Sequence, residues 1–179
     1  FLSSMNVVRE KEMGTIEQIN VSPVQKYQFV IGKLLPFWLI ALFELAFGLT
    51  LARIVFGIPI VGSLWLIFGV ASVYLLAVLG IGLFISTLVH TQQQAMFLAW
   101  FFAVVFIMMS GLFTPVDSMP EWAQQVNIVN PIAYFIKMIR MIMLKGSEFG
   151  DIIKPFSAIV VYACISLTLA VWRYRKVAA

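Results

Sequence analysis

The sequence predicts an all-α, polytopic membrane protein, and three observations carry that reading. Of its 179 residues 62% are hydrophobic and 11% charged, against roughly 45–50% and about 25% in soluble domains. Mean hydropathy is +1.00. Apolar runs of about 20 residues, the length a helix needs to cross hydrocarbon, recur with few interruptions: after Lys33 only Glu44 and Arg53 carry charge before Asp117. The net charge of +4 sits at the ends of those runs, where basic residues set topology. Membrane lipid, and no nucleic acid, is therefore the expected surrounding.

Taken in order, residues 1–8 read as the tail of an earlier span. The chain opens on Phe1 without a basic n-region or cleavage site, so no signal peptide is visible and the sequence reads as a fragment lacking its N-terminal part. Residues 9–20 hold good helix formers with Met13, Ile16 and Ile19 on one stripe, and Ser22-Pro23 breaks the run. A short helix lying along the membrane face is expected there. Its charges alternate in sign, with Glu10, Glu12 and Glu17 beside Arg9 and Lys11. That pattern suits a protein surface of complementary charge better than anionic lipid. The plainer alternative is a solvated helix that only holds topology.

Four spans follow, near residues 37–56, 64–88, 95–113 and 152–172. Arg9, Lys11, Lys26 and Lys33 precede the first, and Arg173, Arg175 and Lys176 follow the last, which places both ends in the cytoplasm. Residues 114–151 then form a loop on the outer side. Within it, residues 128–144 are apolar, but a fifth span would bury Lys137 and Arg140 at about 2.5–3.5 kcal/mol each. The segment is read as an interfacial or partly re-entrant helix. Ser118-Met119-Pro120-Glu121 reads as a capping box opening a helix over 119–126, while Asn130-Pro131 opens a second that Gly146 closes.

Few residues carry reactive chemistry. One cysteine, Cys164, and one histidine, His90, provide neither a disulfide framework nor a thiol or imidazole metal cluster. No glycine-rich GxxxxGK loop occurs, so this chain is not expected to hydrolyse nucleotide, and no catalytic or metal-ligating residue is assigned. Glu44, an acid inside a span, is a functional candidate by default; a structural contact between helices is the plainer alternative. Arg53, nine residues on, lies on the opposite side of the helix and is read as snorkelling to the headgroups. Phe97, Trp100, Phe101, Met108 and Met109 make an aromatic and thioether face on the third span. Ordinary packing explains such a face, and so does an adaptable surface for a hydrophobic substrate. Gly80 and Gly82 permit close helix approach.

The run Arg9-Glu10-Lys11-Glu12-x-Gly14-Thr15-x-Glu17-Gln18, then Ser22-Pro23, Gly32-Lys33 and Pro36, resembles the cytoplasmic coupling segment of type-2 ABC exporter permeases. Ser110-Gly111-Leu112-Phe113-x-Pro115, Met119-Pro120-Glu121-Trp122 and Asn130-Pro131 to Lys145-Gly146 are similar to the same family's outer re-entrant helices. The resemblance, nearest to the multidrug-type subgroup, implies a six-span permease of which this is the C-terminal part, with residues 9–33 as the coupling segment. It implies pairing with a second permease copy or homologue and docking on a cytoplasmic ABC ATPase that binds ATP and Mg. Carried over by position, Arg9, Glu10, Glu12, Thr15, Glu17 and Gln18 would face the ATPase, and Gly14 would allow close approach. Pro115, Pro120, Trp122, Asn130 and Pro131 would belong to an outer gate, with Glu44, Phe97, Trp100, Phe101 and Met108 as candidate pathway residues. The function implied is export of a hydrophobic or amphipathic substrate across the cytoplasmic (inner) membrane by alternating access. The rival readings are an ion-coupled secondary transporter using Glu44 and a non-transporting membrane scaffold.

Overall fold

The computed structural model describes residues 2–13 and 26–177, in which all regular structure is helical. Helix α1 (Leu2–Glu12) is followed by α2 (Lys26–Ile54), α3 (Leu64–Leu88) and α4 (Gln92–Met109). A 3-10 turn (Val116–Ser118), α5 (Glu121–Asn127) and α6 (Pro131–Lys145) then lead into α7 (Phe149–Val177). Among the described residues four helical segments are long and apolar enough to cross a membrane: Val30–Ile54, Leu64–Leu88, Gln92–Met109 and Phe149–Arg173. This is a multi-pass membrane protein, as composition requires.

Helix α3 is the spine of the bundle. Its Ile67, Val70 and Ala77 are buried against Met138 and Ile142 of α6 and Ile152, Ile159 and Ala163 of α7. Further along, Leu83 packs with Val7 of α1, Val30 and Leu34 of α2, and Ala170 of α7. The pairing of early α3 with early α7 and late α3 with late α7 means that these two helices run parallel. They meet at Gly80, where an added Cβ would lie 2.5 Å from Ser166 Oγ and 3.1 Å from the Leu167 backbone nitrogen. Ser166 Oγ donates to the Ala77 carbonyl at 3.1 Å. Small residues that let backbones approach, joined by a hydroxyl bridge, are how spans associate where water supplies no hydrophobic drive. Gly82 points elsewhere: its nearest neighbour is Ser4 Cβ, at 3.9 Å across the α1 interface.

Helix α4 returns antiparallel to α3, so its C-terminus and the start of α7 lie at the same end of the bundle. Between them α5 and α6 form a pair bent by 85°. The pair leaves from that end and comes back to it, because Lys145 precedes α7 and the loop before α3 docks on α6 through Val61 N to Met143 O at 3.1 Å. It is a re-entrant elbow, and the fifth span that hydropathy alone would permit is not made.

Several sequence expectations need correction. The first span, expected near 37–56, is Val30–Ile54 within a helix that begins at Lys26, because Lys33 is neutralised within the bundle by Glu10 and need not mark a membrane boundary. Pro36 lies inside this helix. Residues 9–12 do not open a separate surface helix; they are the last turn of α1, and the expected continuation over 14–20 lies outside the described residues. Helix α4 runs from Gln92 to Met109, not 95–113, and Gly111 at φ 83° turns the chain away. The capping box at Ser118 is not formed: Ser118 belongs to the 3-10 turn, and Pro120 is the N-cap of α5 without a side-chain hydrogen bond. A Thr-x-x-Gln pattern does serve at the start of α4, where Thr91 Oγ1 accepts from Gln94 N and Gln94 Oε1 accepts from His90 N, both at 3.2 Å. Asn130, Pro131 and Gly146 act as their residue types predict, Asn130 accepting from Ile132 N at 3.0 Å and Gly146 closing α6 at φ 64°.

The α3–α7 contact makes one substitution act with opposite signs at two glycines. Gly80→Ala is expected to destabilise the detergent-solubilised protein by about 1–3 kcal/mol, the range for overpacking. Gly69→Ala, where a Cβ meets nothing within 4 Å, should be neutral or raise stability by less than about 1 kcal/mol through helix propensity. Thermal unfolding of both variants checks the contrast.

Candidate functional site

The polar chemistry of the chain gathers at the two ends of the bundle. At one end α1, α2 and α4 are tied by charge. Lys33 of α2 donates to Asn6 Oδ1 at 2.6 Å and forms an ion pair with Glu10, both on α1. With side chains 14% and 24% exposed, this pair is partly desolvated and worth more than a surface salt bridge. Glu12 reaches the first residue of α4: it accepts from Gln92 N at 2.9 Å and from the Gln92 side-chain amide. A carboxylate there also complements the positive end of the helix dipole. These hydrogen bonds hold the Glu12 carboxyl below its ordinary value. Arg9 is exposed beside them. Gly14, Thr15, Glu17 and Gln18 lie outside the described residues, so Glu10 and Glu12 are the acids of the expected coupling set whose contacts are visible, and both are held within the chain.

The opposite end is organised around the tip of the elbow. Asn130, 1% exposed, donates through Nδ2 to the Phe106 carbonyl of α4 at 2.7 Å and to Asn127 Oδ1 of α5 at 3.0 Å. Its Oδ1 caps α6 at Ile132 N. The Phe106 carbonyl is available because α4 is ending: Ser110 N closes on Ile107 O. Two tyrosine hydroxyls, Tyr134 of α6 and Tyr162 of α7, donate to the Ile128 carbonyl at 3.0 and 2.9 Å. Arg140 covers the turn after α4, donating to Gly111 O at 3.1 Å and Leu112 O at 3.3 Å. Tyr162 lies thirteen residues along α7, about 20 Å from its start at 1.5 Å per residue, so the tip is deep.

A cavity adjoins each face of this elbow. One, of about 280 Å³, is apolar and walled by Phe84, Leu98, Phe102, Phe106, Ile165 and Leu169 among others. The second, of about 820 Å³, lies along α6 and is lined in part by Lys137, Arg140, Lys145 and Asp117.

Of the expected outer-gate residues, Asn130 and Pro131 are buried in the elbow. Pro115, Pro120 and Trp122 are exposed on its approach. The expected pathway residues are not brought together. Glu44 is exposed on α2, which packs on α1, α3 and α7, whereas Phe97, Trp100, Phe101 and Met108 are exposed on α4, which packs on α1, α3 and α6. The apolar cavity uses the neighbouring stripe of α4, Leu98, Phe102 and Phe106. Sequence reasoning passed over Gln92, Tyr134 and Tyr162. The Thr-x-x-Gln signal before α4 was available, but a tyrosine that reaches a distant carbonyl leaves no local pattern.

The ABC-2 family transporter protein profile matches residues 1–172. The probable multidrug ABC transporter permease YbhR of Escherichia coli (strain K12) is 33% identical over 175 residues, 98% of this chain and 48% of that protein. The inner membrane transport permease YhhJ of the same organism is 28% identical over 176 residues, covering 98% of this chain and 47% of that protein. The linearmycin resistance permease protein LnrN of Bacillus subtilis (strain 168) is 24% identical over 160 residues, 89% of this chain and 41% of that protein. The chain thus spans about half the length of the curated relatives it matches. No solved structure matches it.

Two measurements test the geometry. Asn130→Ala is expected to lower stability by about 1–3 kcal/mol, the scale of leaving a buried partner unpaired. Asn130→Asp should do no better, because it keeps the cap to Ile132 but sets a carboxylate against the Phe106 carbonyl; denaturant unfolding reads both. The Glu12 pKa should rise toward its ordinary value in Gln92→Ala, followed by carboxyl carbon NMR. Because the folded value is depressed, the bond contributes above the unfolded pKa and is lost as pH falls through the folded one.

Proposed function

The chain belongs to the ABC-2 transporter family, and on that premise we propose that it is the C-terminal part of the permease subunit of an ATP-driven exporter. The match of nearly the whole chain to a family profile and to relatives named as multidrug permeases carries this reading. Their names favour a hydrophobic or amphipathic substrate, and the wholly apolar cavity beneath the elbow is in keeping with one. ATP and Mg belong to a separate ATPase subunit. The exposed apolar faces of α2 and α4 are available to lipid and to a second permease copy.

The charged end faces the cytoplasm in this reading, since Arg9, Lys33 and Arg173 gather there. Residues 14–25 then connect α1 to α2 on the ATPase side. A load on that segment meets α1 and α2 by covalent connection and α4 through Glu12 and Gln92. Arg9, Thr15, Glu17 and Gln18 are the residues assigned to the ATPase. Glu10 serves inside the permease, and Glu12 joins the segment to α4. The elbow, at the other end, closes the outer side.

Glu12→Lys combined with Glu17→Lys in the full-length permease is expected to lower substrate-stimulated ATP hydrolysis by roughly tenfold or more, the scale of removing interfacial charge pairs. Membrane insertion should be unchanged. ATPase co-purification and turnover in proteoliposomes read the effect; normal stimulated turnover would remove this segment from coupling.

A further inference from the structure

We propose that the larger elbow cavity is a binding site for the phosphate group of an anionic amphiphile. The cavity, about 820 Å³, falls in the roughly 300–1,000 Å³ range of small-molecule sites. Its charged wall is Lys137, Arg140 and Lys145 against a single acid, Asp117. Neither Lys137 nor Lys145 has a hydrogen-bond or ion-pair partner among the described residues. Arg140 uses two donors on the Gly111 and Leu112 carbonyls, which leaves the rest of its five N–H groups and its full charge. Lys137 and Arg140 lie on the face of the helix opposite the fully buried Met138 and Ile142, so the wall they form is fixed in place, and Lys145 adds its charge from the last turn.

Two further observations select the ligand. The cavity wall is amphipathic: Ile136, Met141 and Leu144 lie between the cations, as a headgroup with the first part of its chains would require. The same end of the bundle presents Trp65 and Trp122, 88% and 67% exposed, and tryptophan concentrates at the headgroup level of a bilayer. A pocket open between helices at that level is within reach of a headgroup, and charge-assisted contacts from Arg and Lys are the usual means of holding phosphate. Occupancy would place a counter-charge against the elbow at the point where Arg140 holds the end of α4. The site stands on its own geometry. Only the leaflet that supplies the lipid depends on the orientation proposed above.

The test uses the purified full-length protein in nanodiscs, read by native mass spectrometry for retained lipid and by phosphorus NMR for bound phosphate. In nanodiscs of phosphatidylcholine with a minor fraction of phosphatidylglycerol, the wild type should retain phosphatidylglycerol preferentially. Lys137→Gln with Lys145→Gln should weaken that retention roughly tenfold to thirtyfold, the scale of removing two surface cations. Asp117→Asn should strengthen it, and Lys154→Gln, a cation outside the cavity wall, should leave it unchanged. In pure phosphatidylcholine nanodiscs with added inorganic phosphate, binding that the double variant abolishes would assign the site to soluble phosphate instead of a headgroup. Equal retention by wild type and double variant in both arms would overturn the proposal, and so would an equal loss in Lys154→Gln.

Discussion

In hydrocarbon no water is available to pair a free carbonyl or amide, so irregular backbone survives at depth only where protein groups replace the water. The elbow is where this chain meets that constraint. Breaking the run between α5 and α6 frees the Ile128 carbonyl, and ending α4 frees the Phe106 carbonyl. Tyr134 and Tyr162 answer the first and Asn130 the second. Asn130 does more than fill a vacancy. Its amide is shared among α4, α5 and the first turn of α6, so the bend between the two short helices is set by one buried side chain. It acts beside the cost of burying Lys137 and Arg140 in a straight crossing and the break that Pro131 makes at the start of α6.

Charge does at the other end what the amide does at the elbow. A lysine and four carboxylate or amide side chains would be costly to desolvate at the end of a packed bundle if each stood alone. Joined as Lys33 with Glu10 and Asn6, and Glu12 with Gln92, they add polar ties to three helices that also share buried apolar contacts, Val7 with Val30 and Leu34 and Val8 with Ala95. Between the two ends runs the tight α3–α7 seam, where Gly80 brings the Ser166 hydroxyl within reach of the Ala77 carbonyl. The bundle is thus rigid along one side and joined by polar contacts at its ends.

How much of this was legible follows from the range of each signal. The four spans, the two short helices and the roles of Asn130, Pro131 and Gly146 depend on local composition and capping chemistry, and the residues themselves state them. The membership of Glu10 and Lys33 in one ion pair spans 23 residues of separation, and no periodicity encodes it; the same charges read equally well as a docking surface. The first span begins earlier than local sequence suggests for the same reason, since Lys33 looks like a boundary until its partner is known. Ser118 failed as a cap because Pro115 starts a 3-10 turn that takes Ser118 as its last residue. The greasy stripe on α4 was recognised, but which stripe faces inward depends on α3 and α7, so Phe102 and Phe106 wall the cavity while Phe97 and Trp100 face out.

Helix α4 is the element in which both ends of the bundle come together. Its first residue is held by Glu12 of α1, and the carbonyl of Phe106, fourteen residues later, is held by Asn130. At 1.5 Å per residue these points are about 21 Å apart, and an α-helix without an internal proline or glycine resists bending between them; α4 contains neither. Axial displacement at Gln92 is therefore displacement at Phe106 as well. Helices α2 and α7, by contrast, carry Pro36 and Pro155 inside their length and can absorb motion locally. Between rigid elements of this kind, change proceeds by sliding or rocking of whole helices. The elbow can move relative to α3 only if its bonds to α4 move with it, or break.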